Sequence, residues 1–231
     1  MEPEAAPAAA PAAAPVAAPV APPEAATPLD ALVVYCHPWE GSYTHAVLEA
    51  VERGLGRSGA SFEVIDLYGD GFSPAMSAAE LAHYSTGEAT DPLVLRYQGL
   101  LARCRRLVLV FPVWWNDVPA MLRGFLDRVM LPGFSWEATG AGLAGKLQNI
   151  RRVDAYTTSS NPTDYMRERL GDGIQGTLLD ATFWQLGCGA GTWHNLGGMD
   201  ATDEGERRRW LTEVEKEVAA RGRVGLQRRP G

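Results

Sequence analysis

Short apolar runs alternate with amphipathic stretches from residue 31 to residue 220. Ala31-Leu32-Val33-Val34-Tyr35-Cys36 carries no charged position before it stops at His37-Pro38. Such a run, without polar alternation, describes a strand covered on both faces, as in a parallel sheet. Phe62-Glu63-Val64-Ile65 is a second run, and Leu107-Val108-Leu109-Val110-Phe111, the most apolar, marks the central strand. Residues 152–158 and a short stretch at 191–196 supply a fourth and a fifth. Helical periods fall between them. Residues 43–58 place Val47, Leu48, Val51 and Leu55 on one stripe, with Gly54, Gly56 and Gly59 near the exit. Residues 91–104 carry Leu93, Val94, Tyr97, Leu100 and Leu101. The clearest stripe is Val118, Met121, Leu122, Phe125, Leu126, Val129 and Met130, with Asn116 or Asp117 available as cap and Pro119 in the first turn. Residues 173–186 read as a further helix, and 204–220 as the last, with Trp210, Leu211, Val214 and Val218 inward. Asp154 interrupts the fourth strand, and residues 131–150 follow neither period.

Strand and helix thus alternate five times, which implies right-handed crossovers and one doubly wound α/β domain over residues 29–222. Residues 1–28 differ: 13 are Ala and eight are Pro. That composition cannot bury enough surface to offset chain entropy, so a disordered, partly polyproline-II tail is expected. It lacks the basic region and apolar run of a secretory signal, and the chain shows no membrane span. A second, basic tail is expected at 223–231, with Arg223, Arg228 and Arg229.

The formal charge is −7, and Glu2, Glu4 and Glu24 lie in the first tail, leaving the domain near −4. That balance argues against nucleic acid as a partner. Three Cys, none in a C-x-x-C pair, argue against a disulfide scaffold and a Cys-rich metal site; a cytoplasmic location and plain packing of the thiols are expected.

In open parallel sheets ligands lie outside the carboxyl ends of the strands. Three loops fall there. His37-Pro38-Trp39-Glu40-Gly41-Ser42-Tyr43-Thr44 runs into a helix start, where free N–H groups and the helix dipole suit a phosphate, although Ser42 or Thr44 alone reads equally as an N-cap. Pro112-Val113-Trp114-Trp115-Asn116-Asp117 puts two Trp where the sheet opens to solvent, suiting a planar heterocycle; core capping is the commoner fate of a loop Trp. Thr157-Thr158-Ser159-Ser160-Asn161-Pro162 is rich in hydroxyls, which also suits a simple turn ending a strand. Their shared position at one sheet end is the argument for a site.

Two G-x-G-x-x-G matches, Gly54/Gly56/Gly59 and Gly140/Gly142/Gly145, lack the strand-before, helix-after context of a nucleotide loop. The Ser residues form no G-x-S-x-G elbow, and His45, His83 and His194 have no patterned partners, so hydrolase and metal readings find no support and these His suit surface or satisfied-core roles.

With these pieces in order, residues 31–220 resemble the NAD(P)H:quinone oxidoreductases of the flavodoxin-like superfamily. The resemblance rests on the His37–Thr44 turn, Asp66-Leu67-Tyr68, Phe72-x-Pro74, Phe111-Pro112-Val113-Trp114-Trp115, Val118-Pro119-Ala120, Gly124-Phe125-Leu126-Asp127-Arg128-Val129, Pro132-Gly133-Phe134-Ser135-Trp136 and Thr157-Thr158. It implies a flavodoxin-like three-layer sandwich around a five-stranded parallel sheet of order 2-1-3-4-5. It also implies a flavin, FAD or FMN, with NAD(P)H as co-substrate and a quinone-like acceptor. His37, Ser42, Tyr43 and Thr44 would hold the phosphate-bearing chain. Pro112, Val113, Trp114, Trp115 and Asn116 would line the ring, and Thr157, Thr158, Ser159 and Ser160 its polar edge. Trp115, Trp136 and Tyr165 would meet the substrate, Tyr165 as the catalytic residue, in a homodimer whose interface holds the site.

Two departures stand out. The family's Thr-Thr-Gly-Gly reads Thr157-Thr158-Ser159-Ser160, and the His that partners the catalytic Tyr in mammalian members falls on Gly171 or Leu170. The implied reaction is hydride transfer from NAD(P)H through flavin to the acceptor, ping-pong in one pocket, with Ser159 and Tyr165 among the donors to the reduced ring. The alternatives, in order, are a flavodoxin-type electron carrier, a flavin-binding ancillary subunit of a potassium efflux system, and a flavin-free binding domain.

Overall fold

The computed structural model describes residues 27–140 and 142–221. Most of the expected first tail, all of the second, and Gly222 lie outside the described residues. In chain order come β1 (Ala31–Tyr35), α1 (Tyr43–Ser58), β2 (Phe62–Asp66), α2 (Ala78–His83), α3 (Pro92–Arg103), β3 (Arg106–Pro112) and α4 (Ala120–Val129). Then follow β4 (Trp136–Thr139), β5 (Gly142–Gly145), β6 (Arg152–Ser159), α5 (Thr163–Arg169), a π-helical segment (Gly173–Phe183), β7 (Ala190–Gly197) and α6 (Glu204–Ala220). The main sheet is β2-β1-β3-β6-β7, every pairing parallel, which is the expected order of the five runs.

Residues that alternate along a strand face opposite layers. On one face Leu32, Val34, Leu107, Leu109 and Phe111 pack with Tyr97, Leu122 and Phe125. On the other, Val33, Tyr35, Val108 and Val110 pack with Val47, Val51 and Leu55 of α1 and Val214 and Val218 of α6. With helices on both faces, β1 and β3 are buried at every position, and their uninterrupted hydrophobicity follows.

Both glycine motifs serve packing. Gly59 caps α1 with φ 67°, and a Cβ at Gly54 would stand 2.7 Å from the Glu215 carbonyl, so glycine lets α1 lie directly on α6. Gly142 and Gly145 bound β5, antiparallel to β4, in the stretch that showed no period. This hairpin is largely exposed, so no face selects a hydrophobic alternation.

Two helix expectations are corrected. First, α4 begins at Ala120 with Pro119 at its N-cap position, and neither Asn116 nor Asp117 caps it. Those two are consumed by a tight turn, and Val118 is buried ahead of the helix. Second, most of the 173–186 helix is π-helical. Its buried residues, Ile174, Leu178, Leu179 and Phe183, recur at intervals of four, five and nine, matching the wide i→i+5 turn rather than an α stripe. Gln175 in this segment accepts from Trp193 N (3.0 Å) and donates to Gly191 O (3.3 Å), along the outer edge of β7.

Asp154 is tolerated inside β6 because its charge is matched. Arg106 Nε donates to it at 2.7 Å, Arg152 Nε at 2.8 Å, and His194 Nε2 lies 3.3 Å away. His194 therefore has partners that spacing could not show: its ring stacks on Tyr156 at 4.4 Å, and its Nδ1 lies 3.3 Å from Glu217. Among the described residues, no helix is long and apolar enough to cross a membrane.

Candidate functional site

Because the sheet is parallel, the loops after β1, β3 and β6 leave it at the same end, and three contacts bind them. The rings of His37 and Trp114 meet edge-on at 6.3 Å. Val113 N donates to Thr158 O at 2.8 Å, and the hydroxyls of Thr44 and Thr158 lie 2.9 Å apart in the interior.

In the first loop the hydroxyls face the protein. Ser42 is the N-cap of α1, its Oγ accepting from His45 N at 3.1 Å. Thr44 is held by Thr158, and Tyr43 Oη donates to the Arg207 carbonyl of α6 at 2.7 Å. What the loop offers a ligand is therefore backbone. The N–H groups of Tyr43 and Thr44, in the first turn, have no acceptor inside the helix. No acidic side chain occupies that turn, so the dipole is left for an external anion. His37 Nδ1 lies 3.1 Å from Trp39 N, and burial keeps its pKa below the ordinary histidine range, so the ring is neutral at pH 7.

The second loop is a two-residue turn closed by reciprocal bonds between Trp114 and Asp117, both 3.1 Å. Its central residues are left-handed, Trp115 at φ 52° and Asn116 at φ 62°. Asn tolerates that region; a bulky aromatic is strained there by about 1 kcal/mol or more. Trp115 is also 97% exposed, and Trp114 is 42% exposed, so neither caps the core. The turn's own bonds leave the N–H groups of Trp115 and Asn116 unused. Asp117 is braced by Arg123 at 2.6 Å, and the Asn116 carbonyl would stand 2.8 Å from a Cβ at Gly173, so this loop leans on the start of the π segment.

Of the third expected loop, Thr157, Thr158 and Ser159 form the end of β6 and are buried, and Ser160, just beyond it, is exposed. Thr157 Oγ1 accepts from Trp193 Nε1 and donates to Asn195 Oδ1, each at 2.7 Å. Ser159 Oγ donates to Asn161 O and accepts from Asn195 Nδ2, each at 2.8 Å. The Ser159 hydroxyl, expected to serve a ligand, is held inward here by Asn195 on β7. Asn195 also donates to Thr163 at 3.0 Å and is the hub of the loop, a role that only its position opposite Thr157 reveals.

Tyr165, half-exposed on α5, follows this loop. Neither expected position supplies it with a proton partner: Leu170 packs on the core, and Gly171 sits at φ 82°, where a side chain is strained. Trp136 stands apart from the three loops, on β4, its indole N–H donating to the Met130 carbonyl at 3.1 Å.

An uncharacterized NAD(P)H oxidoreductase of Haemophilus influenzae is 24% identical over 194 residues, covering 84% of this chain and 96% of that protein. A solved NAD(P)H:quinone oxidoreductase from Methanothermobacter marburgensis superposes with a TM-score of 0.71 at 25% identity, over 84% of this chain and 98% of the other. An FMN-dependent NADH-azoreductase from Bacillus anthracis, solved in complex with FMN, shares the fold with a TM-score of 0.67 at 19% identity, over 83% and 97%. The family model described as a flavodoxin-like fold matches residues 30–218, and the chain belongs to that family.

Proposed function

We propose that this chain is a flavin-dependent NAD(P)H oxidoreductase acting on a quinone or a similar flat acceptor. One observation carries the reading: Trp115, strained and almost wholly exposed, stands on the rim beside Trp114. Backbone strain with no folding benefit belongs to a binding surface. The named relatives, NAD(P)H oxidoreductase and NAD(P)H:quinone oxidoreductase, support the same chemistry.

The residues present fit a flavin. The Tyr43 and Thr44 amides would take its phosphate, and Pro112–Asn116 would lie along the ring. The backbone of Thr157–Ser160 would meet the polar edge, with the Ser159 hydroxyl turned inward and Ser160 exposed. When bound there, a flavin would supply the hydride-transfer chemistry between NAD(P)H and the acceptor. Trp114 and Trp115 would flank the slot that donor and acceptor occupy in turn, a ping-pong arrangement. The half-exposed Tyr165 hydroxyl would be the donor available to the edge that gains negative charge. In a homodimer, Trp136 of one subunit would wall the site of the other.

The test is an absorption spectrum of the purified protein, with mass identification of any released chromophore. Flavin bands, bleached by NAD(P)H and restored by a quinone, are expected. Colourless protein that takes up no flavin at micromolar concentration overturns the proposal.

A further inference from the structure

Asn195 belongs to β7, yet its side chain joins two other elements. Its Oδ1 accepts from Thr157 Oγ1 at 2.7 Å and lies 3.2 Å from Ser159 Oγ. Its Nδ2 donates to Ser159 Oγ at 2.8 Å and to Thr163 Oγ1 at 3.0 Å. Thr157 and Ser159 end β6, and Thr163 begins α5, so one amide holds the end of a strand and the start of a helix. Residues 193, 195 and 197 alternate along β7 and share a face. The Trp193 indole N–H donates to Thr157 Oγ1 at 2.7 Å, and its ring meets the Arg167 guanidinium of α5 at 5.3 Å. A Cβ at Gly197 would stand 2.8 Å from the Asn161 carbonyl and 2.9 Å from Thr163 N, so the turn into α5 rests on bare β7 backbone.

The helix needs this support. It has seven residues, fewer than the roughly 12 at which an isolated helix begins to hold itself in water. Pro162, at its N-cap, supplies no side-chain bond, and Met166 is its one buried residue. Its placement therefore comes from β7. Tyr165 stands two residues after Thr163, so a shift of the first turn moves its hydroxyl relative to the backbone of residues 157–160. Aspartate could not replace the amide, because it donates to neither hydroxyl, and Ser159 already spends its own proton on Asn161 O. Resting on the flavin reading above, we propose that Asn195 is a positioning residue, which fixes the Tyr165 hydroxyl against the polar edge by locking the start of α5 to the end of β6.

A double-mutant cycle tests it. Asn195→Leu and Thr163→Val are each made with and without Tyr165→Phe, and reduction of the flavin-loaded proteins by NAD(P)H is followed by stopped flow. Asn195→Leu should slow reduction by about 10- to 100-fold where Tyr165 is present, and by less than about twofold in the Tyr165→Phe background. Flavin affinity and the KM for NAD(P)H should move by less than about threefold. In the flavin-free chain, amide hydrogen exchange should quicken at residues 163–169 while β1 and β3 stay protected. Thr163→Val leaves the hold on Thr157 and Ser159 in place; it should show the same pattern, and it carries the test if Asn195→Leu does not fold. Equal slowing in both backgrounds overturns the proposal, as does a Tyr165→Phe change that is itself without effect. So does exchange that rises across the whole sheet, which makes Asn195 a general support, or exchange at 163–169 that does not change. Failure of the natural chain to bind flavin is a different result: it defeats the flavin reading, while the exchange measurement still decides whether Asn195 holds α5.

Discussion

Replacing Asp154 by asparagine keeps the size of the side chain and removes its charge. The carboxylate is wholly buried, and so is Arg106, whose Nε donates to it at 2.7 Å. The two terminal nitrogens of Arg106 are buried without a protein acceptor, which makes Asp154 its essential counter-charge. Burial alone would raise the Asp154 pKa; the His194 hydrogen bond, the Arg106 charge and Arg152 outweigh it and hold the group down at about 2, against an ordinary 3.8. That difference corresponds to about 2.5 kcal/mol of stability at neutral pH. Removing one member of a buried pair costs about 3–5 kcal/mol by precedent. Asp154→Asn should therefore destabilise the domain by about 2.5–4 kcal/mol, a large part of an ordinary total of about 5–15. Urea denaturation at pH 7 should show the midpoint falling by about 1–2 M at unchanged slope. The sign with pH is fixed. A depressed carboxylate stabilises fully above its unfolded pKa and ceases to as pH falls through the folded value, so the gap between natural chain and variant should close between about pH 4 and pH 2. A gap below about 0.5 kcal/mol at pH 7, or one that persists unchanged to pH 2, refutes this account of Asp154.

Trp115→Gly should relieve the left-handed strain and raise stability by about 1 kcal/mol, while weakening flavin binding and turnover; paired denaturation and flavin titration check it, and unchanged flavin affinity would remove Trp115 from the site. Tyr165→Phe should slow turnover by about 100-fold, worth roughly 3 kcal/mol of transition-state stabilisation, with flavin still bound; stopped-flow reduction by NAD(P)H reads it. Cys36, Cys104 and Cys188 are all buried, and burial pushes each thiol up to about 12, so a thiol reagent at pH 8 should label none in the folded chain and all three after denaturation.

The central strands were legible because β1 and β3 are covered on both faces, so nothing polar is admitted between residues 31 and 36 or 107 and 111. The stripes of 43–58 and 204–220 mark α1 and α6 to the residue, since each buries one face against the other. The β4–β5 hairpin was hidden because exposed, glycine-rich strands carry no period. The start of α4 was misplaced because Val118 is buried like a helical residue while the preceding turn uses up Asn116 and Asp117. The meeting of the three candidate segments at one end of the sheet followed from strand direction alone. Its hydrogen bonding did not, because Asn195 reaches Thr157, Ser159 and Thr163 from a strand more than thirty residues away.

The Gln175 side chain carries one last consequence. Strand β7 ends the sheet, and such a margin is a template onto which another molecule's chain can add. By accepting from Trp193 N and donating to Gly191 O, the Gln175 amide imitates the peptide group of an absent sixth strand. The border is thus shielded by side chains rather than by a further strand, with the Gln175 amide at its centre and the Thr163 hydroxyl at the Asn195 carbonyl, 3.5 Å away.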